Sequence, residues 1–272
     1  MSFSTKKGIP IAIVRGGVSD KEIIYINPDQ RSDTVIKTIP TRTVEVRDGK
    51  FEQLPNETVR ILYIAGPSGS GKSTYSSVYI SKYINLYIKP RVNAFKKLHG
   101  EDAELEGVPR FYLFSRIDSD KVLDELDPVR VKCDESIIKN PFDIKEIEPY
   151  SICLFDDIDC ITNKQVQGVV NLLKEQIMDL GRHSNIACVI TSHLINGKDR
   201  NASRTTLNEM NSLTIFPSSG SSYQINYALK MYFGMSPTQI KKIMAINSRW
   251  VTLIKNAPQV VMSEHGLSFI SG

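Results

Sequence analysis

The clearest pattern along the chain begins after about residue 58, where short apolar, β-branched runs alternate with helical stretches. The candidate strands are residues 60–65, 110–115, 152–156, 186–191 and 213–216. Apolar strands that alternate with helices are typical of βαβ units, which build a parallel sheet covered on both faces. The pattern therefore predicts an α/β core in this part of the chain.

The first 55 residues have a different texture. The runs 10–14, 22–26 and 34–39 are β-branched and are broken by Gly, Pro and Asp. The runs 43–47 and 50–54 flank Asp48-Gly49, a dipeptide that suits a type I′ hairpin turn. Pro55-Asn56 marks a boundary. We therefore predict an N-terminal β-rich extension, residues 1–55, and a second domain, residues 56–272.

Three further segments have their own signals. After Ile161, Thr162 and Gln165 have the spacing of a capping box at the start of an amphipathic helix, and Gly181 follows as its stop. The polar stretch 89–110 is basic and then acidic, which indicates a solvated loop, with a partner-binding element as the alternative. Near the end, 249–255 and 259–262 flank Asn-Ala-Pro and predict an antiparallel hairpin.

Composition narrows the function only a little. The chain has 272 residues and a formal net charge of +4, which permits contact with nucleic acid without requiring it. The four cysteines show no CxxC spacing and lie partly in apolar runs, which indicates free thiols in a reducing compartment. The sequence has neither an 18-residue apolar stretch nor a signal-peptide pattern, so we expect neither a membrane span nor export.

The most specific motif is a phosphate-binding loop. The apolar run ending at Ala65 leads directly into Gly66, Pro67, Ser68, Gly69, Ser70, Gly71, Lys72, Ser73 and Thr74, and a helical pattern follows. This is the P-loop pattern GxxxxGK[ST] in its required context of strand, loop and helix. The glycines let backbone N–H groups point at a phosphate, and the helix start adds its positive dipole end. Lys72 is expected to bind the β- and γ-phosphates, and the Ser73 hydroxyl to ligate Mg²⁺.

A second motif has the form of a Walker B strand. The apolar run 152–155 ends in Asp156 and Asp157. The first acid is expected to hold Mg²⁺ and the second to orient or deprotonate the attacking water. Asp159 is an alternative base, or a charge at the entry to the next helix. The sequence therefore predicts binding of a nucleoside triphosphate with magnesium, and its hydrolysis.

Polar residues also end the apolar run 186–191. Thr191, Ser192 and His193 follow one another there. Thr191 and Ser192 are candidates for sensing the γ-phosphate from a neighbouring strand tip. For His193 we expect an ordinary polar strand end.

These motifs resemble the FtsK/HerA superfamily of P-loop motor ATPases, in particular the genome-packaging ATPases of large double-stranded DNA viruses of the poxvirus-to-mimivirus kind. The generic parts are the P-loop and the Walker B strand. The more specific parts are GRHSN at 181–185 leading into ACVITSH, RTTLNEM at 204–210, IFP at 215–217 and SRWVTL at 248–253. The resemblance covers about residues 58–262 and does not extend to the N-terminal fifty.

The resemblance implies a RecA-like ASCE fold, with an additional strand between the P-loop and Walker B strands. It also implies ATP and Mg²⁺ as cofactors, and a ring of copies (pentamer or hexamer) that translocates double-stranded DNA of any sequence. Further expected partners are capsid or membrane-associated virion proteins, in the virion or the host cytoplasm. An arginine is expected to act on a neighbouring subunit's nucleotide; Arg182 is favoured, followed by Arg204 and Arg200. For Arg182 a charge at a helix C-terminus is an equal alternative.

The chain departs from the family in two places. The second Walker B acid is often Glu, whereas Asp157 is one methylene shorter, and many relatives carry Gln where this chain offers Thr191 or Ser192. Candidate DNA contacts are residues 198–204 and Lys164. Two other functions stay open: a P-loop small-molecule kinase, and a nucleotide-switched assembly or scaffold protein.

Overall fold

The computed structural model describes residues 2–27, 38–39, 43–56, 60–101, 105–197, 200–255 and 259–270. Contacts within the chain divide it into two compact units. The first unit combines Met1–Val59 with Met210–Gly272, and the second is Arg60–Glu209. The sequence prediction grouped residues 210–272 with the P-loop instead, and the proposed domain boundary near residue 55 stays a prediction.

The N-terminal part of the first unit is made of strands. They are β1 (Ser2–Ser4), β2 (Ile9–Arg15), β3 (Ile23–Asn27), β4 (Thr38–Ile39), β5 (Thr43–Glu45) and β6 (Lys50–Gln53). All of them except β5 form one antiparallel sheet, in the order β4-β1-β3-β2-β6. The predicted strands 10–14 and 22–26 are confirmed, whereas residues 34–37 of the third lie outside the described residues.

The second unit alternates strands and helices, as predicted. Its strands are β7 (Ile61–Ala65), β8 (Phe111–Ser115), β9 (Val129–Lys132), β10 (Ile152–Asp156) and β11 (Ala187–Ser192). Its α-helices are α1 (Lys72–Tyr83), α2 (Lys89–His99), α3 (Lys121–Asp124), α4 (Ser136–Lys139), α5 (Lys164–Leu180) and α6 (Arg200–Glu209). A π-helical turn spans Ile84–Ile88, and 3₁₀ turns span Ile144–Glu146, Ile158–Cys160 and Gly181–His183.

All five strands of this unit are parallel, in the order β7-β11-β10-β8-β9. Strand β11 therefore lies between the P-loop strand β7 and the Walker B strand β10, as the family resemblance implied. Every residue of β7, β8, β10 and β11 is buried, which explains their near-continuous apolar sequences. The register aligns the strand ends, with Asp156 opposite Ser115 and Ser192 opposite Ala65. The predicted α/β fold with a parallel sheet is confirmed.

The first half of the polar stretch 89–110 is helical, so the predicted loop is wrong there. Helix α2 follows α1 after the π-helical turn, and none of its residues is buried. Pro90 lies at its start, and a proline cannot donate the backbone hydrogen bond that continues an α-helix. The wider π turn accommodates that loss. No residue of α2 is fully buried, so its sequence lacks the stripe of apolar positions that marks a core helix.

The start of α5 also differs from the prediction. Its N-cap is Asn163, one residue later than Thr162, and the Asn163 side chain accepts hydrogen bonds from the N–H groups of Gln165 and Val166. The helix then buries an apolar face that includes Val166, Leu173 and Ile177, as expected from their spacing.

The C-terminal part returns to the first unit. Its elements are β12 (Ser212–Ile215), α7 (Ser222–Phe233), α8 (Pro237–Met244), β13 (Val251–Ile254), β14 (Val260–Ser263) and β15 (Gly266–Phe269). Strands β13 and β14 pair antiparallel, which confirms the predicted C-terminal hairpin; its turn residues 256–258 lie outside the described residues. Strand β5 pairs with β15, in the antiparallel order β5-β15-β14-β13-β12. Because β6 pairs with β2 instead, the hairpin predicted around Asp48-Gly49 is wrong.

The two ends of the chain share one hydrophobic core. Phe3, Ile11 and Phe51 from the N-terminal strands pack in one cluster with Met262 and Leu267 from the C-terminal strands. The rings of Phe3 and Phe269 stack with their centroids 4.0 Å apart. The first unit is therefore held together by residues that are far apart in sequence.

Candidate functional site

The P-loop joins β7 to α1 in a backbone conformation that requires glycine. Gly69 and Gly71 have φ angles of 75° and 110°, which β-carbon-bearing residues rarely adopt. Gly71 immediately precedes the first turn of α1, so the N–H groups of that turn open toward the loop. The Gly66 N–H donates to the Ser192 carbonyl at 3.0 Å and fixes the loop to the end of β11. The predicted phosphate-binding shape is thus present.

Lys72 lies inside this loop. Its side chain is 6% exposed, and its Nζ donates to the carbonyl oxygens of Gly66 at 3.0 Å and Pro67 at 3.5 Å. The same Nζ lies 3.6 Å from Asp157 Oδ2. The ammonium therefore already occupies the position between the P-loop and the second Walker B acid, which is where the phosphates of a nucleotide would be met.

The two Walker B acids are joined to the neighbouring strand by one hydroxyl. Thr191 Oγ1 donates to Asp156 Oδ1 at 2.8 Å and accepts the Asp157 N–H at 2.8 Å. It also lies 3.3 Å from Asp157 Oδ1. The predicted sensor residue at the end of β11 thus contacts both acids at the end of β10.

Asp156 is buried, and its surroundings favour a cation. Burial raises the pKa of this carboxyl, and the negative charges of Asp157 and Asp120 raise it further, against the Thr191 hydrogen bond and the Lys72 ammonium. A divalent cation would compensate a carboxylate in this setting, and oxygen donors are the ligands that Mg²⁺ prefers. The residues therefore fit the expected ion, with Ser73 as the second expected ligand at the start of α1.

Asp157 sits in a strained backbone conformation. Its φ and ψ angles are 45° and 40°, in the left-handed region. Such conformations cost on the order of 1–3 kcal/mol and cluster at functional sites. Asp157 Oδ2 lies 2.9 Å from His193 Nε2, in addition to its contact with Lys72. The His193 ring therefore contacts the proposed catalytic carboxylate, a contact that the expectation of an ordinary strand end did not include.

Asp159 has a different setting from Asp157. Its Oδ2 accepts hydrogen bonds from Ser192 Oγ at 2.9 Å and from the His193 N–H at 3.2 Å. Its Oδ1 is buried and has no hydrogen-bond partner among the described residues. Asp159 thus ties the turn after β10 to the end of β11, which favours Asp157 over Asp159 as the water-activating group.

Sequence reasoning missed Tyr63, which lies on the P-loop strand β7. Its buried hydroxyl donates to the carbonyl oxygens of Leu194 at 2.8 Å and Ile195 at 3.0 Å, and burial raises the pKa of the phenol. Tyr63 thereby holds the segment that follows His193. A tyrosine in an otherwise aliphatic strand is the only sequence signal of this contact.

The candidate arginines lie elsewhere. Arg182 is exposed in the 3₁₀ turn before β11, at the opposite end of that strand from Thr191. Arg182 and Thr191 thus lie at opposite ends of β11, and the structure does not place Arg182 beside the nucleotide site of its own chain. Arg204 is exposed on α6, and the side chain of Arg200 lies outside the described residues.

The candidate DNA contacts are only partly described. Residues 198 and 199 lie outside the described part of the chain, and Lys164 is exposed at the start of α5. In the described residues, no helix is long and apolar enough to cross a membrane.

The thiols follow the burial pattern. All four cysteines are free; Cys133, Cys153 and Cys188 are buried and Cys160 is exposed. Cys160 lies in the 3₁₀ turn that begins one residue after Asp157.

Comparison with known proteins gives one close sequence relative. No model of a protein family matches the chain. The chain is 35% identical over 262 residues to the uncharacterized protein V3 of Sputnik virophage, covering 96% of this chain and 95% of that protein.

Solved structures give more distant similarities. The DNA-packaging ATPase B204 of Sulfolobus turreted icosahedral virus has 11% identity and a TM-score of 0.46, covering 75% of this chain and 97% of that one. The conjugation coupling protein TcpA of pCW3 has 11% identity and a TM-score of 0.48, covering 94% and 77%. EssC of Geobacillus thermodenitrificans has 12% identity and a TM-score of 0.44, covering 81% and 40%.

Proposed function

We propose that this chain, which belongs to the same protein family as the uncharacterized protein V3 of Sputnik virophage, is an ATP-hydrolysing motor that packages double-stranded DNA into a viral capsid. One observation carries the ATPase part of the proposal. Lys72 of the P-loop, Asp156 and Asp157 of the Walker B strand and Thr191 of the strand between them meet at one end of a parallel sheet. Ligands of open α/β sheets bind at that end.

The P-loop and Lys72 would bind the triphosphate. The glycine-rich backbone and the start of α1 present N–H groups to the phosphates, and Lys72 supplies a positive charge. On nucleotide binding the Lys72 ammonium would exchange the carbonyl oxygens of Gly66 and Pro67 for phosphate oxygens. This exchange would also release Asp157 from its contact with Lys72.

Asp156 and Ser73 would hold Mg²⁺. When bound, the ion neutralises charge on the β- and γ-phosphates and orients them for attack. Thr191 keeps one oxygen of Asp156 engaged through its hydroxyl. The carboxylate is thereby held in a fixed direction.

Asp157 would orient the attacking water or accept its proton. It lies on the Lys72 side of the site, at 3.6 Å from the ammonium that is expected to contact the γ-phosphate. Its side chain is 27% exposed, so that water can reach the carboxylate, whereas the oxygens of Asp159 are engaged or buried. These contacts support Asp157 as the general base.

The DNA part of the proposal rests on the sequence resemblance to FtsK/HerA packaging ATPases across residues 58–262. Packaging must ignore base sequence, so contacts would be made to phosphates and should weaken as salt is raised. Arg182 would act on the nucleotide of a neighbouring subunit in a ring, stabilising charge on the transferred phosphoryl group. Its position at the far end of β11 suits action between subunits rather than within one.

The test is the steady-state ATPase rate with and without double-stranded DNA of arbitrary sequence, at low and moderate salt. Lys72→Ala is the blank. We expect a Mg²⁺-dependent rate that DNA stimulates, that salt suppresses and that the blank lacks. A rate indifferent to DNA, in protein verified to be assembled, would remove translocation from the proposal. A rate equal to that of the blank would remove hydrolysis.

A further inference from the structure

We infer that His193 is a positioning residue for Asp157. This inference rests on the proposed ATPase function and assigns a role that the sequence did not indicate. His193 Nε2 lies 2.9 Å from Asp157 Oδ2. The other polar contacts of that carboxylate are longer: 3.3 Å from Thr191 Oγ1 and 3.6 Å from Lys72 Nζ.

Neither of the longer contacts can hold the carboxylate during hydrolysis. The Thr191 hydroxyl has a single proton, and its shorter contact, 2.8 Å, is to Asp156. The Lys72 ammonium is drawn to the phosphates once a nucleotide binds. The His193 imidazole is then the remaining close polar contact, among the described residues, that can fix the direction of the Asp157 carboxylate.

The backbone that carries His193 is anchored by Asp159. The His193 N–H donates to Asp159 Oδ2 at 3.2 Å, and the neighbouring Ser192 Oγ donates to the same oxygen at 2.9 Å. The side chain is 33% exposed, and its ring contacts Asp157. Asp159 thus anchors the backbone that presents His193, and His193 orients Asp157.

The test compares His193→Ala and His193→Gln in the ATPase assay. We expect His193→Ala to lower kcat by about 10- to 100-fold, because a misplaced base costs rate, while the KM for ATP changes by less than about twofold. His193→Gln should recover part of the rate, since its amide can donate to the same oxygen. His99→Ala, at an exposed histidine of α2, is the matched control and should keep the native rate.

Each outcome is decisive. An unchanged kcat in His193→Ala, or an equal loss in His193→Gln at native thermal stability, would overturn the inference. A native chain that hydrolyses no ATP above the Lys72→Ala blank would instead remove the proposed function, and the inference with it.

A second and independent observation concerns the outer face of α7 and α8. No acidic residue occurs in the sequence between Glu209 and Glu264, although Lys230, Lys241 and Lys242 lie there. These three lysines are exposed, and among the described residues none of them is in an ion pair. A tract that carries only positive charge fits a polyanion.

The same face also carries exposed aromatic and apolar side chains. Tyr223, Tyr227 and Met231 are spaced four residues apart on α7 and are 79%, 37% and 59% exposed. Residues four apart share one face of a helix, and the opposite face of α7 is the buried one. Helix α8 packs against α7 and carries Lys241 and Lys242 in its last turn.

We propose that this α7–α8 face binds the phosphate backbone of double-stranded DNA. Lysine and tyrosine side chains are common donors to DNA phosphates. A membrane-surface helix would need a broader apolar face with Leu, Phe or Trp, which α7 does not expose. A second copy docked through the same face would bring lysines of equal charge together. The proposal deepens the proposed function by naming where DNA is held.

The test is a charge reversal, Lys230→Glu with Lys241→Glu and Lys242→Glu. The control reverses three exposed lysines elsewhere, Lys7→Glu with Lys139→Glu and Lys145→Glu. DNA binding is measured by fluorescence anisotropy over a salt series, without nucleotide. We expect the α7–α8 variant to lose at least about tenfold in affinity and its salt slope to fall by about 0.9 per lost phosphate contact. The control variant should keep both within about twofold.

Equal losses in both variants, or no loss in either, would overturn the assignment. So would intact DNA binding accompanied by lost binding to phosphatidylserine vesicles, or by a changed mass in light scattering. Those results would assign the face to a membrane or to a second copy. A native chain that hydrolyses ATP but binds no DNA at low salt would remove the translocation proposal along with this one.

Discussion

Thr191 Oγ1 lies 2.8 Å from Asp156 Oδ1 and 2.8 Å from the backbone nitrogen of Asp157, so that one hydroxyl donates to the first Walker B acid and accepts from the second. Thr191 lies at the end of β11, and the two acids lie at the end of the neighbouring parallel strand β10. Any shift of one strand end relative to the other breaks both hydrogen bonds together. Thr191 therefore keeps Asp156, the proposed metal ligand, and Asp157, the proposed base, in a fixed relation to each other.

Replacing Thr191 with valine removes the hydroxyl but keeps the shape. Asp156 is 8% exposed, so its carboxylate and the Asp157 N–H would lose their hydrogen-bond partner where little water can replace it. We expect the free energy of unfolding to fall by about 1–3 kcal/mol and kcat to fall by about tenfold or more. Urea denaturation and the ATPase assay measure the two effects. Thr191→Ser, which keeps the hydroxyl, is the control; a valine variant with native stability and rate would show that the hydroxyl contributes to neither.

Asp157→Asn and Asp159→Asn should differ strongly in rate. Asp157 lies beside Lys72, whereas the Asp159 carboxylate accepts from the Ser192 hydroxyl and the His193 N–H. Loss of a general base costs about 10²- to 10⁴-fold in kcat, and we expect this for Asp157→Asn. For Asp159→Asn, which keeps one acceptor oxygen, we expect a loss below about tenfold.

Steady-state ATPase assays, with nucleotide affinity measured by a fluorescent ATP analogue, separate the two variants. Both should bind the analogue within about threefold of the native chain, since neither residue contacts the P-loop backbone. The reverse order of rates would transfer the role of base to Asp159. If DNA packaging survived in Asp157→Asn, the chain would have to be a nucleotide-switched scaffold instead.

Arg182→Ala tests action between subunits. Because Arg182 lies at the opposite end of β11 from the Walker B acids, its removal should leave nucleotide binding within each subunit unchanged. We expect the variant to assemble and bind ATP normally but to lose about 10³-fold or more in kcat. Mixing it with an excess of Lys72→Ala protein should restore part of the rate, since the mixed rings contain intact sites. Normal assembly with a native rate would show that Arg182 only complements the helix dipole.

Thiol labelling tests the packing around the 3₁₀ turn Ile158–Cys160, which follows the Walker B acids. Burial raises the pKa of the Cys133 and Cys188 thiols to about 12, and raises that of Cys153 as well. We therefore expect only Cys160 to react with a thiol reagent in the native chain at pH 8, and all four cysteines to react after denaturation in urea. Partial burial, together with the negative charges of Asp159 and Asp157, also raises the pKa of Cys160.

The thiolate is the reactive form, so this raised pKa sets the sign of the pH dependence. At any pH below its raised pKa, Cys160 has a smaller thiolate fraction than an ordinary cysteine. Its labelling rate should therefore keep rising at pH values above the pKa of an ordinary cysteine. A stopped-flow series from pH 7 to 10, with a cysteine-containing peptide for comparison, measures it. A midpoint at or below that of the peptide, or rapid labelling of a second thiol, would contradict the described packing.

Four of the five parallel strands (β7, β8, β10 and β11) were predicted, because each is a single run of buried apolar residues; β9, which has no buried residue, was missed. Residues 152–156 match β10 at both ends, and the predicted strands beginning at 60 and 186 match β7 and β11 to within one residue. The P-loop was predictable for a related reason, since its function depends on residues that are adjacent in the chain.

Contacts that depend on tertiary pairing were not predictable in this way. Asp48-Gly49 has the chemistry of a hairpin turn, yet β5 and β6 find partners elsewhere, because their apolar faces are completed by β15 and β2. His193 looked ordinary because no periodicity links it to Asp157, 36 residues earlier in the numbering; the two meet only because β10 and β11 lie side by side. Helix α2 was missed because none of its residues is fully buried, so its sequence lacks the stripe of apolar positions that marks a core helix.

The shared core of the first unit has a consequence for synthesis on the ribosome. Phe3, Ile11 and Phe51 share their cluster with Met262 and Leu267, which are translated after the whole of Arg60–Glu209. Translation proceeds at about 5–20 residues per second, so the N-terminal strands are without their C-terminal partners for on the order of ten seconds or more. During this time the whole of Arg60–Glu209 emerges and is free to fold. During that interval the nascent chain exposes unpaired strands, and early release would yield a folded P-loop unit attached to an aggregation-prone terminus.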